Sequence, residues 1–315
     1  MKPNSGVVKD LGRTSWVSEV TTDAIQHFAW GIGDNNPLWA DKDYGPSSGL
    51  TANVAPPSFA YAIDETSVAP GLDGYERHYE KVKWEWFHRL QIGDRISAES
   101  KILGEDHDST TDVIWQYGET SFHCGSKGVV AKASVTTRRD KKELTPVDER
   151  DEIKYTPDEL SEIEEAILHE KCRGSSPRHW EEVSIGDQLG TVTKGPLSIM
   201  DIVAWCAGTM GSPDTQKGYS AGGLDAQTAT GPQLAAWAIH LLTNWMGDNG
   251  FLHELTITFT GLPFLGSTTT ISGSVSSAFM DESKCFYEIA FTCLLQNGEQ
   301  IANGIALIEV PSGKR

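Results

Sequence analysis

Positive charge is scarce in this chain. Its 315 residues carry 44 Asp and Glu against 26 Lys and Arg, a formal net charge of −18. A surface of that sign repels nucleic-acid backbone and anionic membranes, so neither is expected as a partner. A phosphate-bearing small molecule stays open, because a few cations such as Lys81, Lys83, Arg89 and Arg178 can make a local positive spot. Long apolar runs are lacking too. None reaches the roughly 18 residues that a membrane-spanning helix needs, and the opening residues have no hydrophobic core of the kind a signal peptide carries. The expectation is a cytoplasmic protein. Cysteine is sparse: Cys124, Cys172, Cys206, Cys285 and Cys293 are odd in number, scattered and never in Cys-x-x-Cys spacing, which suits reduced structural thiols. Also missing are a Gly-x-Gly-x-x-Gly turn after a strand, a phosphate-loop Lys, a His-Glu-x-x-His helix and a Gly-x-Ser-x-Gly elbow. No cofactor follows from the sequence, whether metal, nicotinamide or flavin.

What is present divides the chain in two. The length suits two domains of about 150 residues. The clearest boundary is a charged linker, giving an N-terminal domain over 1–145, a linker with a helix over 146–178 and a C-terminal domain over 179–315. In the linker, Thr156 can cap a helix, Pro157 fits its first turn and Glu159 completes a capping box. Leu160, Ile163, Ile167 and Leu168 fall at helical spacing, so this helix is expected to lie on the body. Landmarks repeat on either side. Ala29-Trp30-Gly31-Ile32-Gly33-Asp34 can be laid on Ala204-Trp205-Cys206-Ala207-Gly208-Thr209, Gly93-Asp94 on Gly266-Ser267, and Lys127-Gly128 on Asn297-Gly298, which suggests an internal duplication.

Each half reads as helices followed by antiparallel strands. The first has a helix from Asp23 to Ile32 capped by Thr22, a short buried helix from Pro57 to Ala62, and strands at Trp84–Phe87, Arg95–Leu103, Asp112–Phe122 and Gly128–Thr137. The second has helices at Ile199–Ala207 and Gln233–Trp245 and strands at Leu255–Thr260, Thr268–Val275, Cys285–Leu295 and Ile301–Val310. The fold class is α+β, a helix wrapped by a curled antiparallel sheet, twice over.

The loop Gly33-Asp34-Asn35-Asn36-Pro37-Leu38-Trp39 resembles the Gly-Asp-x-Asn-Pro-x-His signature of MaoC-like hydratases and dehydratases, with Trp39 where the family has His. Ala55-Pro56-Pro57-Ser58-Phe59, Trp84-Glu85-Trp86-Phe87 and Gly93-Asp94-Arg95 are similar to the N-terminal domain of the two-domain members. Arg173-Gly174-Ser175-Ser176-Pro177-Arg178, Gly195-Pro196-Leu197-Ser198 and the run from Gly231 to Asp248 are similar to their linker and second domain. The resemblance implies a double hotdog and a lyase, a hydratase or dehydratase acting on an acyl thioester. The partner would be a coenzyme A or carrier-protein thioester, and the chain would stand as a homodimer or a heteromer with another hotdog chain. It also implies a carboxylate and an imidazole that share one water, with backbone N–H groups at the N-terminus of the buried helix polarising the thioester carbonyl. Those donors would follow Pro57 and Gly231-Pro232.

The departures leave several candidates. Asp34 is either the proton-transfer residue or a turn residue that caps Asn36. Indole N–H only donates, so Trp39 cannot replace an imidazole and reads as a pocket wall. Superposing the halves puts Thr209 at the Asp position and Asp214 at the His position, where Asp214 is either a catalytic carboxylate or a loop residue. His88, alternating with Trp84 and Trp86 along a strand, is either an acid–base group or core. His240 sits beside the apolar stripe of its helix and faces either core or pocket. Substrate contacts are expected from Asn36, Trp39, Pro57, Ser58, Trp86, Gly231, Gln233 and His240. A degenerate hotdog that binds a ligand or serves as a partner subunit, and an isomerase or cyclase acting on a non-thioester, are the competing readings. The stretch Ser220-Ala221-Gly222-Gly223-Leu224 reads as a mobile loop.

Overall fold

In the computed structural model the described residues are 9–10, 15, 17–41, 43–44, 50, 53–66, 74–141, 153–209 and 228–313. Their strands form one ten-stranded antiparallel sheet: β1 (Lys9–Asp10), β2 (Tyr75–Trp86), β3 (Ile96–Asp108), β4 (Val113–Cys124), β5 (Gly128–Lys141), β6 (Gln188–Lys194), β7 (Phe251–Phe259), β8 (Thr269–Asp281), β9 (Lys284–Leu295) and β10 (Gln300–Val310). The order across the sheet is β1-β3-β4-β5-β2-β7-β10-β9-β8-β6. Read outward from the centre, β2-β5-β4-β3-β1 on one side repeats as β7-β10-β9-β8-β6 on the other. The halves join where Lys81 to Glu85 of β2 pair with Thr258 to Glu254 of β7.

Two helices fill the concave side. In the first half a short turn, Pro57–Phe59, runs into α3 (Ala60–Ile63), all of it buried except Pro57. In the second, α6 (Gly231–Met246) has every residue buried. Thr230 caps α6 by accepting from Gln233 N, Pro232 fits the first turn, and Gly247 ends it with φ +71, a conformation that favours glycine. A helix whose every residue is buried is wrapped on all sides. Trp237, Leu241 and Trp245 of α6 and Trp84, Phe122 and Tyr287 of the strands belong to one continuous core.

Outside the sheet lie α1 (Thr22–Gly31), α2 (Pro37–Ala40) and α5 (Ile199–Gly208). The caps are Thr21 and Ser198, so α1 starts one residue earlier than its pattern suggests. α1 and α5 cross with their glycines at the contact. A Cβ on Gly31 would lie 2.7 Å from the Ala204 carbonyl oxygen, and one on Gly208 would lie 2.8 Å from that of His27. The internal match therefore sets Gly31 against Gly208, a two-residue slip from the alignment of Gly33 with Gly208. Thr209 then matches Ile32, not Asp34.

Other expectations need correcting. The linker helix, α4 (Pro157–Leu168), has its capping box in place, but no residue of it is buried and Leu168 is 72% exposed. Its apolar positions are too few and too interrupted by Glu to make a stripe that holds it down. β2 begins nine residues before Trp84, because Tyr75 to Lys83 is a charged segment whose partner strand supplies hydrogen bonds but little burial. β6 escapes the pattern for a similar reason: only Val192 and Thr193 of it are buried. Among the described residues, no helix is long and apolar enough to cross a membrane.

Candidate active site

Asp34 is placed by a compact set of turns. Gly33 leaves α1 with φ +62, Asp34 N donates to Ala29 O at 2.8 Å, and Asp34 Oδ1 accepts from Asn36 N at 3.0 Å. Asn36 Oδ1 in turn accepts from Leu38 N at 3.0 Å and caps α2. The capping role read for Asp34 is real, and it leaves the carboxylate facing inward at 2% exposure.

Opposite it stands His240, on the buried helix of the other half. Its Nε2 lies 3.2 Å from Asp34 Oδ1 and 2.6 Å from Oε1 of Glu170, a linker residue just beyond the end of α4. Neither carboxylate lies along the ring N–H direction, so these are close ionic contacts and not well-directed hydrogen bonds. The His240 Nδ1 has no partner among the described residues. Asn244, one turn further along α6, donates from Nδ2 to Glu170 Oε1 at 2.6 Å. Lys194, at the end of β6, donates from Nζ to Gly33 O at 2.6 Å. The imidazole that the loop lacks at Trp39 is thus present in space, brought from the second half.

Electrostatics tie the group together. Burial alone would push the Glu170 carboxyl up, but His240, Lys194 and Asn244 overturn that and hold it below the usual carboxylate range. Burial lowers Lys194, against the opposing pull of Glu170, Asp34 and Asp201. Cys172 is pushed up to about 11, by burial first and then by the charges of Asp34, Asp248 and Glu170 in spite of a backbone bond from Gly174. At neutral pH that thiol is protonated and a poor nucleophile. Beside it, Asp248 is raised by burial, partly offset by Tyr44 and Arg89.

The remaining expected residues gather elsewhere. Trp39, Pro57 and Trp86 line an apolar crevice with Ala60, Phe122 and Met246, whose enclosed volume is about 30 Å³. That is room for a water or two, and an acyl chain needs the walls to part. Trp86 donates to the Pro57 carbonyl at 3.1 Å, while the buried Trp39 Nε1 has no partner among the described residues. His88 sits at the crevice mouth and is exposed. β2 ends at Trp86, so the alternation that would carry His88 onto the face of Trp84 and Trp86 stops short of it. The crevice shares His88, Arg89 and Phe251 with an open groove that also holds Lys127, His253, Lys284 and Glu309.

Ser58 and Gln233 are buried, and the Ser58 hydroxyl and both Gln233 amide atoms lack partners among the described residues. Gly231 lies against the Tyr79 ring, where a Cβ would be 2.6 Å from it. The helix N–H groups expected to polarise a carbonyl are in part already used. Gln233 N donates to Thr230 Oγ1, Leu234 N to Thr230 O, and Phe59 N to Pro56 O. Gln233 is also two turns from His240, about 10 Å along the axis, so the carbonyl donors and the imidazole are not adjacent. Asp214 and the Ser220–Leu224 stretch lie outside the described residues. Glu170, Lys194 and Asn244 were not anticipated. The available signal was a pair of polar residues, His240 and Asn244, one turn apart on one face of a helix otherwise apolar.

Comparison with known proteins bears on the fold. Residues 10–115 match the model of the FAS1-like dehydratase domain region. A UPF0336 protein of Streptomyces avermitilis is 27% identical over 127 residues, spanning 38% of this chain and 85% of the relative. Among solved structures, a MaoC-like dehydratase superposes with a TM-score of 0.71 at 16% identity over 98% of both chains. A conserved hypothetical protein of Mycobacterium tuberculosis, described as a double hotdog, gives 0.64 at 10% identity over 98% of this chain and 96% of that one. The chain therefore has the double hotdog fold of the MaoC-like dehydratases, with its residues 10–115 matching the FAS1-like dehydratase region.

Proposed function

We propose that this protein is a hydro-lyase that moves protons next to an unsaturated acyl thioester, with Asp34 and His240 as the acid–base pair. The observation that carries the reading is the 3.2 Å approach of His240 Nε2 to Asp34 Oδ1 in a buried site, in a chain whose residues 10–115 match a dehydratase region. A carboxylate and an imidazole at that distance can divide proton removal and proton delivery between them. The apolar crevice behind Trp39 would take the acyl chain once its walls part. The open groove at its mouth, with Arg89, Lys127 and Lys284, would meet the phosphates of a coenzyme A or carrier-protein thioester.

The test is hydration of a panel of enoyl thioesters of increasing chain length. Asp34→Asn and His240→Gln should each lower kcat by about 10²–10⁴-fold with an unchanged far-ultraviolet spectrum. Wild-type rates in both variants would sink the assignment.

One further reading has its own support. His240 is 1% exposed, its Nε2 is already met by two carboxylates, and N–H donors at the helix start are occupied. A hotdog that has kept the fold and serves as a ligand-binding or partner subunit would look like this. No turnover across the panel by wild-type protein, together with thioester binding by calorimetry, would favour it.

A further inference from the structure

We propose that Glu170 is a positioning residue for His240: a carboxylate supplied by the linker that sets where the imidazole stands, leaving Asp34 to face the substrate. This rests on the acid–base role assigned to His240 above. Three observations support it. Glu170 Oε1 is the nearer of the two carboxylates to Nε2, 2.6 Å against 3.2 Å for Asp34. The carboxylate is itself aimed, since Asn244 Nδ2 donates to the same oxygen at 2.6 Å from one turn further along the same helix. And the backbone that carries it is docked on α6. Arg173 N donates to Asn244 O at 3.0 Å, Asp248 N to Gly174 O at 3.0 Å, and Arg178 donates from Nε to Trp245 O at 2.6 Å, its guanidinium 4.4 Å from the centroid of that indole.

The contrast with α4 is informative. That helix has no fully buried residue, and the linker is tied on either side of it, by Tyr155 to Gly266 and Thr268 before it and by these polar contacts after it. A carboxylate held in this way acts as a fixed support. Asp34 is meanwhile tied to its own loop through Asn36 N and reaches the imidazole from the opposite half. Both acids meet the same ring nitrogen, Nε2, and Nδ1 has no partner among the described residues, so Glu170 acts by where it holds that edge of the ring. The other charge in the group is Lys194, near both carboxylates, while the Cys172 thiol beside them is neutral.

The experiment uses the full chain and the variants Glu170→Gln and Glu170→Asp. Glu170→Gln should lower kcat about 10–100-fold, the range typical of such supporting partners, with KM within about threefold, and Glu170→Asp should restore part of the loss. Independently of turnover, the His240 imidazole ¹⁵N resonances of selectively labelled protein at one fixed pH should shift in Glu170→Gln and stay near wild type in Glu170→Asp. Unchanged His240 resonances in Glu170→Gln would overturn the proposal, whether or not the protein turns over any thioester. A raised kcat in Glu170→Gln would overturn it too, by making Glu170 an occupant that blocks the imidazole. If no thioester is turned over but the resonances move as expected, the positioning role stands and the assigned reaction fails.

Discussion

Gathering a buried imidazole and carboxylate, His240 and Asp34, with the half-buried Glu170 and Lys194 makes each of the four depend on the others. Desolvating a charge costs several kcal/mol, and only close opposite charges offset it. His240→Ala should therefore destabilise the fold by about 3–5 kcal/mol, because Asp34 and Glu170 are left facing each other. Adding Glu170→Gln to His240→Ala should recover part of that loss. Urea unfolding of the single and double variants measures both, and strictly additive effects would show that the residues do not interact. Acid should reveal the same coupling. Glu170 is held below the usual carboxylate range, so its stabilisation is complete above about pH 4.3 and is lost as pH falls through the lower folded value. The acid limb of stability against pH should accordingly be flatter in Glu170→Gln. Asp248 has the opposite sign. It is raised by burial, so its folded form takes up a proton first and its destabilising effect grows as pH rises. Asp248→Asn should be neutral or stabilising at pH 7, as thermal unfolding would show. At this scale the sequence is half legible. The Asp34 loop could be read because its turn chemistry is local. His240 was visible only as a polar residue beside an apolar stripe, and Glu170 was one acid among 44, since nothing local marks a residue whose partner lies far along the chain.

Helices and strands differ in how plainly their sequence declares them. Caps are local chemistry: Thr156 with Glu159 and Ser198 with Asp201 form capping boxes that follow from residue type and spacing. Burial is not local, which is why α4 has its cap where expected and lacks the packing its apolar spacing promises. Leu168→Ala should accordingly change stability by less than about 0.5 kcal/mol. Helix crossings are hidden for the same reason. At the α1–α5 contact, a methyl group on Gly31 or Gly208 would meet the backbone of the facing helix, where no side chain can rotate away. Gly31→Ala and Gly208→Ala should each cost about 1–3 kcal/mol, despite alanine's higher helix propensity. A gain in stability for either would mean that the helices sit further apart. The same contact would disturb Asp34, three residues beyond Gly31, so activity should fall along with stability.

The whole molecule is held at its centre by the β2–β7 join and the aromatic cluster behind it. Trp84, fully buried, stacks on Trp86 and Phe122 at centroid distances of 5.4 Å and donates to Tyr61 at 2.8 Å. Trp84→Ala should cost about 3–5 kcal/mol and lower the urea midpoint for both halves together. Two separate transitions would show that the halves unfold independently. The architecture was readable at this scale because ten strands and two apolar helices repeat one order, and repetition survives local error. The alignment of the repeat was not, since the structural match sets Gly31 against Gly208 while the sequence favours Gly33.

A molecule made of two like halves carries two places where a loop of one half could meet the buried helix of the other. The linker exists once. Glu170 stands at the place where Asp34 meets α6, and one residue of one linker cannot stand at both places. Fusion of two similar units into one chain thus does more than tether them: the connecting segment breaks their symmetry, and the side that it visits is the side where chemistry can specialise.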